Sequence, residues 1–426
     1  MRKYAAVILL LAALVLLLCA CGPFAEVSST QSRSAVSADP SDTPSPSRSD
    51  EHSIDLKGFW MEYTDSVFYA DSEEKYISLL TEKLDNISAA GFNALFFHVR
   101  SNADAGYASE IFPFAKSFTG VQGEYPGFDP LSIAVEEAHK RGIELHAWIN
   151  PYRVSASGSD IEALSPKNPA YIWTHDDDPD NDSFVIPYKE GIYFNPSSDT
   201  VRRLIIDGVR EILEGYDVDG IHFDDYFYPQ SDSDFDIGSY AAYCRTARYP
   251  LSQADWRRAN VDILVSSVWR LAKDFGKPFG ISPAAPISDN GTDRNYIEYS
   301  ADVYKWTTNS GYLDYIAPQL YFGYKHKLEY SRFDRLLSAW DSIDRPEGVK
   351  LYIGLPAYKI GINNDADLDE WQTDTDILAR QYSDCASSTA DGIIVYNYSS
   401  FFADNGLSSA QRENLIKRIN EKNNVS

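Results

Sequence analysis

From residue 58 to the C-terminus, short β-rich apolar runs alternate with longer amphipathic stretches, and this alternation restricts the chain to an α/β architecture. The runs fall at 58–62, 94–100, 144–150, 220–224, 279–282, 315–321, 351–355 and 392–396. Helical periodicity fills 74–90, 130–141, 200–214, 252–275, 333–343, 374–390 and 408–420. Ser252 and Asp255 have capping-box spacing, and Gly91 and Gly142 follow helices where a left-handed residue closes the last turn. Eight strands in this order predict a (β/α)8 TIM barrel over residues 55–426. An open doubly wound sheet is the alternative, but the chain has no G-x-G-x-x-G phosphate loop after an early strand. The length, 426 residues, fits this single large barrel with a leader before it.

That leader is legible separately. Arg2 and Lys3 precede an apolar run over 5–18, and Leu18-Cys19-Ala20-Cys21-Gly22 places a small residue directly before a cysteine. The run is shorter than the about 20 residues of a membrane span. Residues 1–20 therefore read as a lipoprotein signal peptide, with Cys21 as the lipidated mature N-terminus. Residues 21–54 are rich in Ser, Thr, Pro and Asp and lack the apolar surface to fold, which predicts a flexible tether. The expected location is extracytoplasmic, on the bacterial membrane through the lipid. In that compartment Cys244 and Cys385 could pair, and their spacing alone does not decide it.

Composition narrows the partners. With 38 basic and 63 acidic residues the formal net charge is −25, which repels a phosphate backbone and argues against nucleic acid. Tyr, Trp and Phe make up 14% of the chain, enough to stack on sugar faces as well as to fill a core. No cofactor, metal or protein partner is expected. The acidic stretches 176–182 and 231–234 lack the glycine and terminal Glu of a calcium loop and read as solvated loops.

Strand parity sharpens the site. Successive side chains on a strand point to opposite faces. One parity collects Trp60 and Glu62, His98 and Arg100, then His146, Trp148 and Asn150, His222 and Asp224, Ser282, and Gln319 and Tyr321. The other parity is apolar, as in Leu145, Ala147 and Ile149. The polar set should face the lumen, its last members opening at the C-terminal mouth where barrels of this kind carry their sites. The run Asp217-Val218-Asp219-Gly220-Ile221-His222-Phe223-Asp224-Asp225-Tyr226 ends the fourth strand in carboxylates. Glycoside hydrolysis needs one carboxylate to attack or stabilise an oxocarbenium-like centre and one acid to protonate the leaving oxygen. Asp224 suits the first role by parity. Asp225 is the acid, a neighbour tuning Asp224, or a loop cap.

These segments, with Asp104-Ala105-Gly106-Tyr107, His146-Ala147-Trp148-Ile149-Asn150-Pro151-Tyr152-Arg153, Phe279-Gly280-Ile281-Ser282-Pro283 and Pro318-Gln319-Leu320-Tyr321, resemble the glycosyl hydrolase-like 10 family of bacterial envelope proteins. The resemblance implies a TIM-barrel glycosidase acting on cell-wall or related glycans, peptidoglycan strands first. Ala284-Ala285 and Phe322 depart from the family pattern, at Phe-Gly and Trp respectively. The Asp219–Tyr226 segment is also similar to the strand-four signature of chitinase-like barrels, but His222 and Tyr226 replace its middle Asp and its acid Glu. No Glu comes after the fifth strand, where amylase-like barrels keep theirs. The proton donor is thus open among Glu62, Asp104 and Asp225. Arg100, Asp104, His146, Trp148, Asn150, His222, Tyr226, Gln319 and Tyr321 are the expected sugar-binding groups, with Arg100 able to fork to Asp224 or to a substrate acid. A non-catalytic glycan-binding lipoprotein is the competing reading. A metal-dependent hydrolase barrel would need a His-x-His on the first strand, which Phe59-Trp60-Met61-Glu62 does not supply.

The leader yields the first test. Cys21→Ser should block lipid attachment and release the protein from the membrane fraction, measured by fractionation and metabolic lipid labelling. A variant that stays membrane-bound and normally processed would refute the anchor.

Overall fold

The computed structural model describes residues 54–363 and 365–423. The expected leader, Cys21 and the tether up to residue 53 lie outside the described residues. Eight parallel strands close into a barrel: β1 (Leu56–Met61), β2 (Ala94–Arg100), β3 (Glu144–Ile149), β4 (Gly220–Phe223), β5 (Phe279–Ile281), β6 (Tyr315–Ile316), β7 (Lys350–Pro356) and β8 (Gly392–Tyr396). Each pairs with its sequence neighbours, and β1 closes the ring against β8 through Leu56 opposite Gly392. The (β/α)8 expectation holds. The principal helices are α1 (Glu73–Ala89), α2 (Pro130–His139), α3 (Asp199–Gly215), α4 (Gln253–Asp274), α5 (Phe333–Asp341), α6 (Ile377–Ala386) and α7 (Gly406–Asn423). Among the described residues no helix is long and apolar enough to cross a membrane.

The helices form where periodicity and caps agree. In α3, Val201, Ile205, Val209 and Ile212 make one buried stripe, and the Ser198 hydroxyl accepts the Val201 N–H to start the first turn. At α4, Ser252 accepts the Asp255 N–H and donates its hydroxyl to the Asp255 carboxylate, a local variant of the expected box. Gly142, at φ 66°, closes α2 two residues sooner than its periodicity suggests.

Two differences from the sequence reading bear on the site. Strand β6 stops at Ile316, because Pro318 has no N–H for the ladder. The chain beyond it stays extended only through single bridges at Gln319. Between β3 and α3, an antiparallel sheet of Arg153–Ser155, Val185–Tyr188 and Gly191–Phe194, with the last strand central, covers one side of the mouth. Cys244 and Cys385 are both free thiols.

The barrel has two apolar compartments. Phe97, Leu145, Ala147, Ile221, Ile353 and Val395 face outward into the helix layer. Leu56, Trp60, Phe96, Trp148, Tyr315 and Ile394 form a separate cluster inside the lumen. Aromatic rings of this size fit only because glycines sit on adjacent strands. A Cβ on Gly58 would lie 2.9 Å from the Phe96 ring, one on Gly220 would overlap His146, and one on Gly280 would overlap Tyr315.

Gly280→Ala should therefore lower stability by about 1–3 kcal/mol through overpacking, whereas Gly215→Ala, at a helix end with open space, should be neutral or slightly stabilising. Urea denaturation of both variants checks the contrast, and equal stabilities would remove the lumen-packing argument.

Candidate active site

The floor of the mouth is a hydrogen-bonded aromatic layer. The Trp60 Nε1–H, which can only donate, points at His222 Nε2 at 3.1 Å. This fixes the tautomer with the proton on Nδ1, which faces the Tyr315 hydroxyl at 3.1 Å, and that hydroxyl in turn donates to the Ile221 carbonyl at 3.3 Å. Burial and the neighbouring His146 hold His222 well below the usual imidazole range, so it is a neutral structural group. His146 lies deeper, stacked on Phe96 at 4.6 Å. Neither histidine lines the mouth cavity: both sit one layer below it, packed by rings and glycines.

Above this floor Trp60, Trp148, Asp224, Asp225, Tyr226 and Tyr321, with Ser282, Gln319, Tyr358 and Tyr396, line a cavity of about 250 Å3. Asp224 ends β4 and is buried. Its two oxygens accept from Trp148 Nε1 and from the Tyr226 N–H, each at 3.3 Å. Trp148 is held flat against His98, with centroids 3.8 Å apart and planes 10° apart. Burial and the adjacent Asp225 raise Asp224 to about 7. Burial raises Asp225 to about 6, against hydrogen bonds from its own backbone and from Gln319 and the charges of Arg294 and Arg153. Both therefore lie well above an ordinary carboxyl group, Asp224 the higher of the two.

One wall is tyrosine. Tyr321 stacks on Tyr396 at 5.5 Å and meets Tyr358 edge-on at 5.6 Å. Glu62 stands behind that wall, accepting from the Tyr396 hydroxyl at 2.7 Å and from the Asn397 amide. Both carboxylate oxygens are thus engaged by donors, and Glu62 does not line the cavity. Gln319 donates to the Ser282 carbonyl at 2.8 Å. Asn150 is buried beside the mouth, its amide donating to the Ser101 carbonyl at 3.0 Å.

Arg100 does not reach Asp224. The β2–β3 register slips between His98, opposite Trp148, and Arg100, opposite Ile149, so the parity count fails at this bulge. The Arg100 guanidinium lies over Phe112 at 4.6 Å and donates to the Pro151 carbonyl at 3.3 Å. Asp104, accepting from Gln122 at 3.0 Å, lines a separate cavity with Tyr63, Asn102 and Lys116. The cation that does act on both mouth carboxylates is Arg153. Its Nε donates to the Ser101 carbonyl at 2.8 Å, and its guanidinium lies 5.1 Å from the Tyr226 ring and 5.9 Å from that of Tyr63. Sequence parity missed Arg153 because it begins a loop strand outside the barrel, although it closes the 146–153 motif. Tyr358 was missed because it comes after β7 in a short helical turn, Ala357–Lys359. Among the described residues no cluster of three or more His, Cys, Asp or Glu could hold a metal ion.

The family described as Glycosyl hydrolase-like 10 matches residues 55–372. The chain is 32% identical over 382 residues to Glycosyl hydrolase DigH of Escherichia coli (strain K12), covering 83% of each protein. It is 35% identical over 308 residues to Glycosyl hydrolase YngK of Bacillus subtilis (strain 168); the match covers 69% of this chain and spans 58% of the Bacillus protein's length. Among solved structures, the PgaB (BpsB) glycoside hydrolase domain from Bordetella bronchiseptica aligns with a TM-score of 0.55 at 14% identity, covering 84% of this chain and 98% of that domain. Alpha-L-fucosidase isoenzyme 2 from Paenibacillus thiaminolyticus aligns at 0.54 and 13% identity, over 87% of this chain and 50% of that one. At these identities the two structures bear on the fold alone.

Burial of the carboxylate pair has a pH signature. Because Asp224 is raised from 3.8 to about 7, the native state keeps a proton that the unfolded chain has already released, and stability falls as pH rises through that interval. Asp224→Asn should accordingly be more stable than the parent by about 1–2 kcal/mol near pH 8, with the gain gone near pH 4. Denaturation curves at the two pH values measure it, and a variant destabilised at pH 8 would mean the charge is a net stabiliser.

Proposed function

The chain belongs to the glycosyl hydrolase-like 10 family, and we propose that it is a membrane-anchored glycoside hydrolase that cleaves a bacterial envelope polysaccharide, with peptidoglycan glycan strands as the substrate. Its likeness to named glycosyl hydrolases supports hydrolytic activity in general. The lipoprotein leader and tether, read from the sequence, support an envelope substrate within reach of the membrane.

The observation that carries the reading is the adjacent carboxyl groups of Asp224 and Asp225, both raised by burial, in a cavity walled by Trp148, Tyr226, Tyr321 and Tyr396. Rings bind sugar faces, and glycoside cleavage needs two carboxyl groups, one charged and one protonated. Asp224 takes the charge-balancing or nucleophilic part by its place at the end of the fourth strand; at about 7 against about 6 for Asp225 it is the more readily protonated of the two, so this role has it ionise as substrate binds, with the Trp148 and Tyr226 N–H donors on its two oxygens stabilising the charge. Asp225 takes the proton-donor part: it is the more open of the two and borders the wider cleft. Glu62 serves the wall, holding Tyr396 and Asn397. Arg153 limits how far burial raises the pair and so keeps Asp224 ionisable near neutral pH.

A glycan-binding protein without turnover is the second reading, favoured by the absence of any Glu from the cavity lining. Reducing-end release from a glycan panel, including peptidoglycan strands with and without stem peptides, separates the two. Asp224→Asn should lower turnover by about a hundredfold or more while binding persists. Asp225→Asn should lose activity on natural strands and regain much of it on glycosides with a good leaving group, which do not need the acid. Parental turnover in Asp224→Asn would remove it from the chemistry, and no turnover of any glycan by the parent would favour the binding protein.

A further inference from the structure

Asp104, which does not reach the mouth, has a cavity of its own. It lies over the C-terminal ends of β1 and β2 and holds about 360 Å3, within the size range of small-molecule sites. Gln122 donates to Asp104 Oδ2 at 3.0 Å and is itself fixed, its carbonyl accepting from the Ser165 N–H at 2.9 Å and from Asn168 at 3.3 Å. The other oxygen, Oδ1, is buried without a partner, and so is Oδ1 of Asn102 in the same lining. Two acceptors left without donors cost free energy, which a hydroxyl entering the cavity recovers directly or through one water.

The rest of the lining is aromatic and open. Tyr69 is 52% exposed, Tyr63 is half-buried, and Lys116 and Ser117 add donors. The short turn Ser66–Tyr69 presents the Tyr69 ring rigidly, because Phe68 beside it is buried and stacked on Phe97 at 4.6 Å, and Asp65 accepts the Val67 N–H. This cavity and the mouth are neighbours, divided by two side chains that each touch both. His98 stacks on Trp148 of the mouth and meets Tyr63 edge-on at 5.4 Å. The Arg153 guanidinium lies over Tyr226 of the mouth and over Tyr63. At its other side the mouth runs on into a cavity of about 530 Å3, with which it shares Asp225, Gln319, Tyr321 and Tyr358. A strand lying in the mouth is therefore not stopped at either side.

We infer that the Asp104 cavity is a second sugar-binding site, distal to the cleaved bond, which takes a neutral sugar unit of the strand that fills the mouth. The inference rests on the hydrolase reading above and adds to it a preference for long strands held along their interior. The sugar face lies on Tyr69, and its hydroxyls donate toward Asn102 and Asp104. A strand that occupies both cavities binds the second without a further loss of translational freedom, so affinity rises steeply once it is long enough to span them.

The test uses the full-length Asp224→Asn protein and calorimetric titration with two series of oligosaccharides, chitin fragments and peptidoglycan strands free of stem peptides, each of two, four and six sugars. In at least one series six sugars should bind about thirtyfold or more tightly than two. Tyr69→Ala should bring that gain to within about fivefold, the scale that extra binding registers give by themselves. Tyr69 carries the test because its ring is half-exposed and its removal leaves the buried Phe68 in place. Asp104→Asn is the second variant: it keeps an oxygen for Gln122, replaces the partnerless acceptor by a donor, and should reduce the gain likewise. A parental gain below thirtyfold in both series, or one that survives in Tyr69→Ala, overturns the site. Turnover by the parent protein keeps the two readings apart. A length gain without cleavage of any strand leaves the distal site standing and defeats the hydrolase, while cleavage without a length gain does the reverse.

Discussion

A closed barrel of eight strands encloses a lumen that must be filled, and here aromatic rings fill it where branched aliphatic side chains are usual. The floor and the acidity of the mouth both depend on that filling. Rings as large as those of Phe96, His146 and Tyr315 need space on neighbouring strands, and glycines at 58, 220 and 280 provide it. Rings with polar edges also need partners once buried. The chain Trp60 to His222 to Tyr315 to the Ile221 carbonyl satisfies each in turn and leaves no freedom in the tautomer.

The carboxylate pair rests on that floor. Asp224 sits one alternation above His222 on the same strand, and its partner Trp148 is clamped against His98. A carboxyl group surrounded by rings loses its water, and its affinity for the proton rises; a second carboxyl beside it raises it further. The acidity of the site is therefore a consequence of the same aromatic filling that closes the barrel.

Much of this was legible from period-two alternation. Trp148, Asp224 and the lumen side of β4 were readable because a regular strand commits every second side chain to one face. The count is blind to a bulge, so it carried Arg100 into the mouth when one extra residue had sent its guanidinium to Phe112. It is also blind to depth. His146 and His222 have the right parity but lie a layer too low, since strand ends are set by where ladders stop and not by side-chain pattern. Residues on loops have no period at all: Tyr358 lines the cavity from the turn after β7, and Arg153, from the added antiparallel sheet, acts on its carboxyl groups from beside Tyr226. Pro318 was the one visible cue that the sixth run could not be a full strand.

The electrostatics of the cleft then have a definite asymmetry. Burial disfavours the charge on both carboxyl groups, and a doubly protonated pair would have no charge to set against a developing cation. Arg153, beside Tyr63 and Tyr226, and Arg294 oppose burial. Arg153 acts on both acids, whereas Arg294 acts on Asp225.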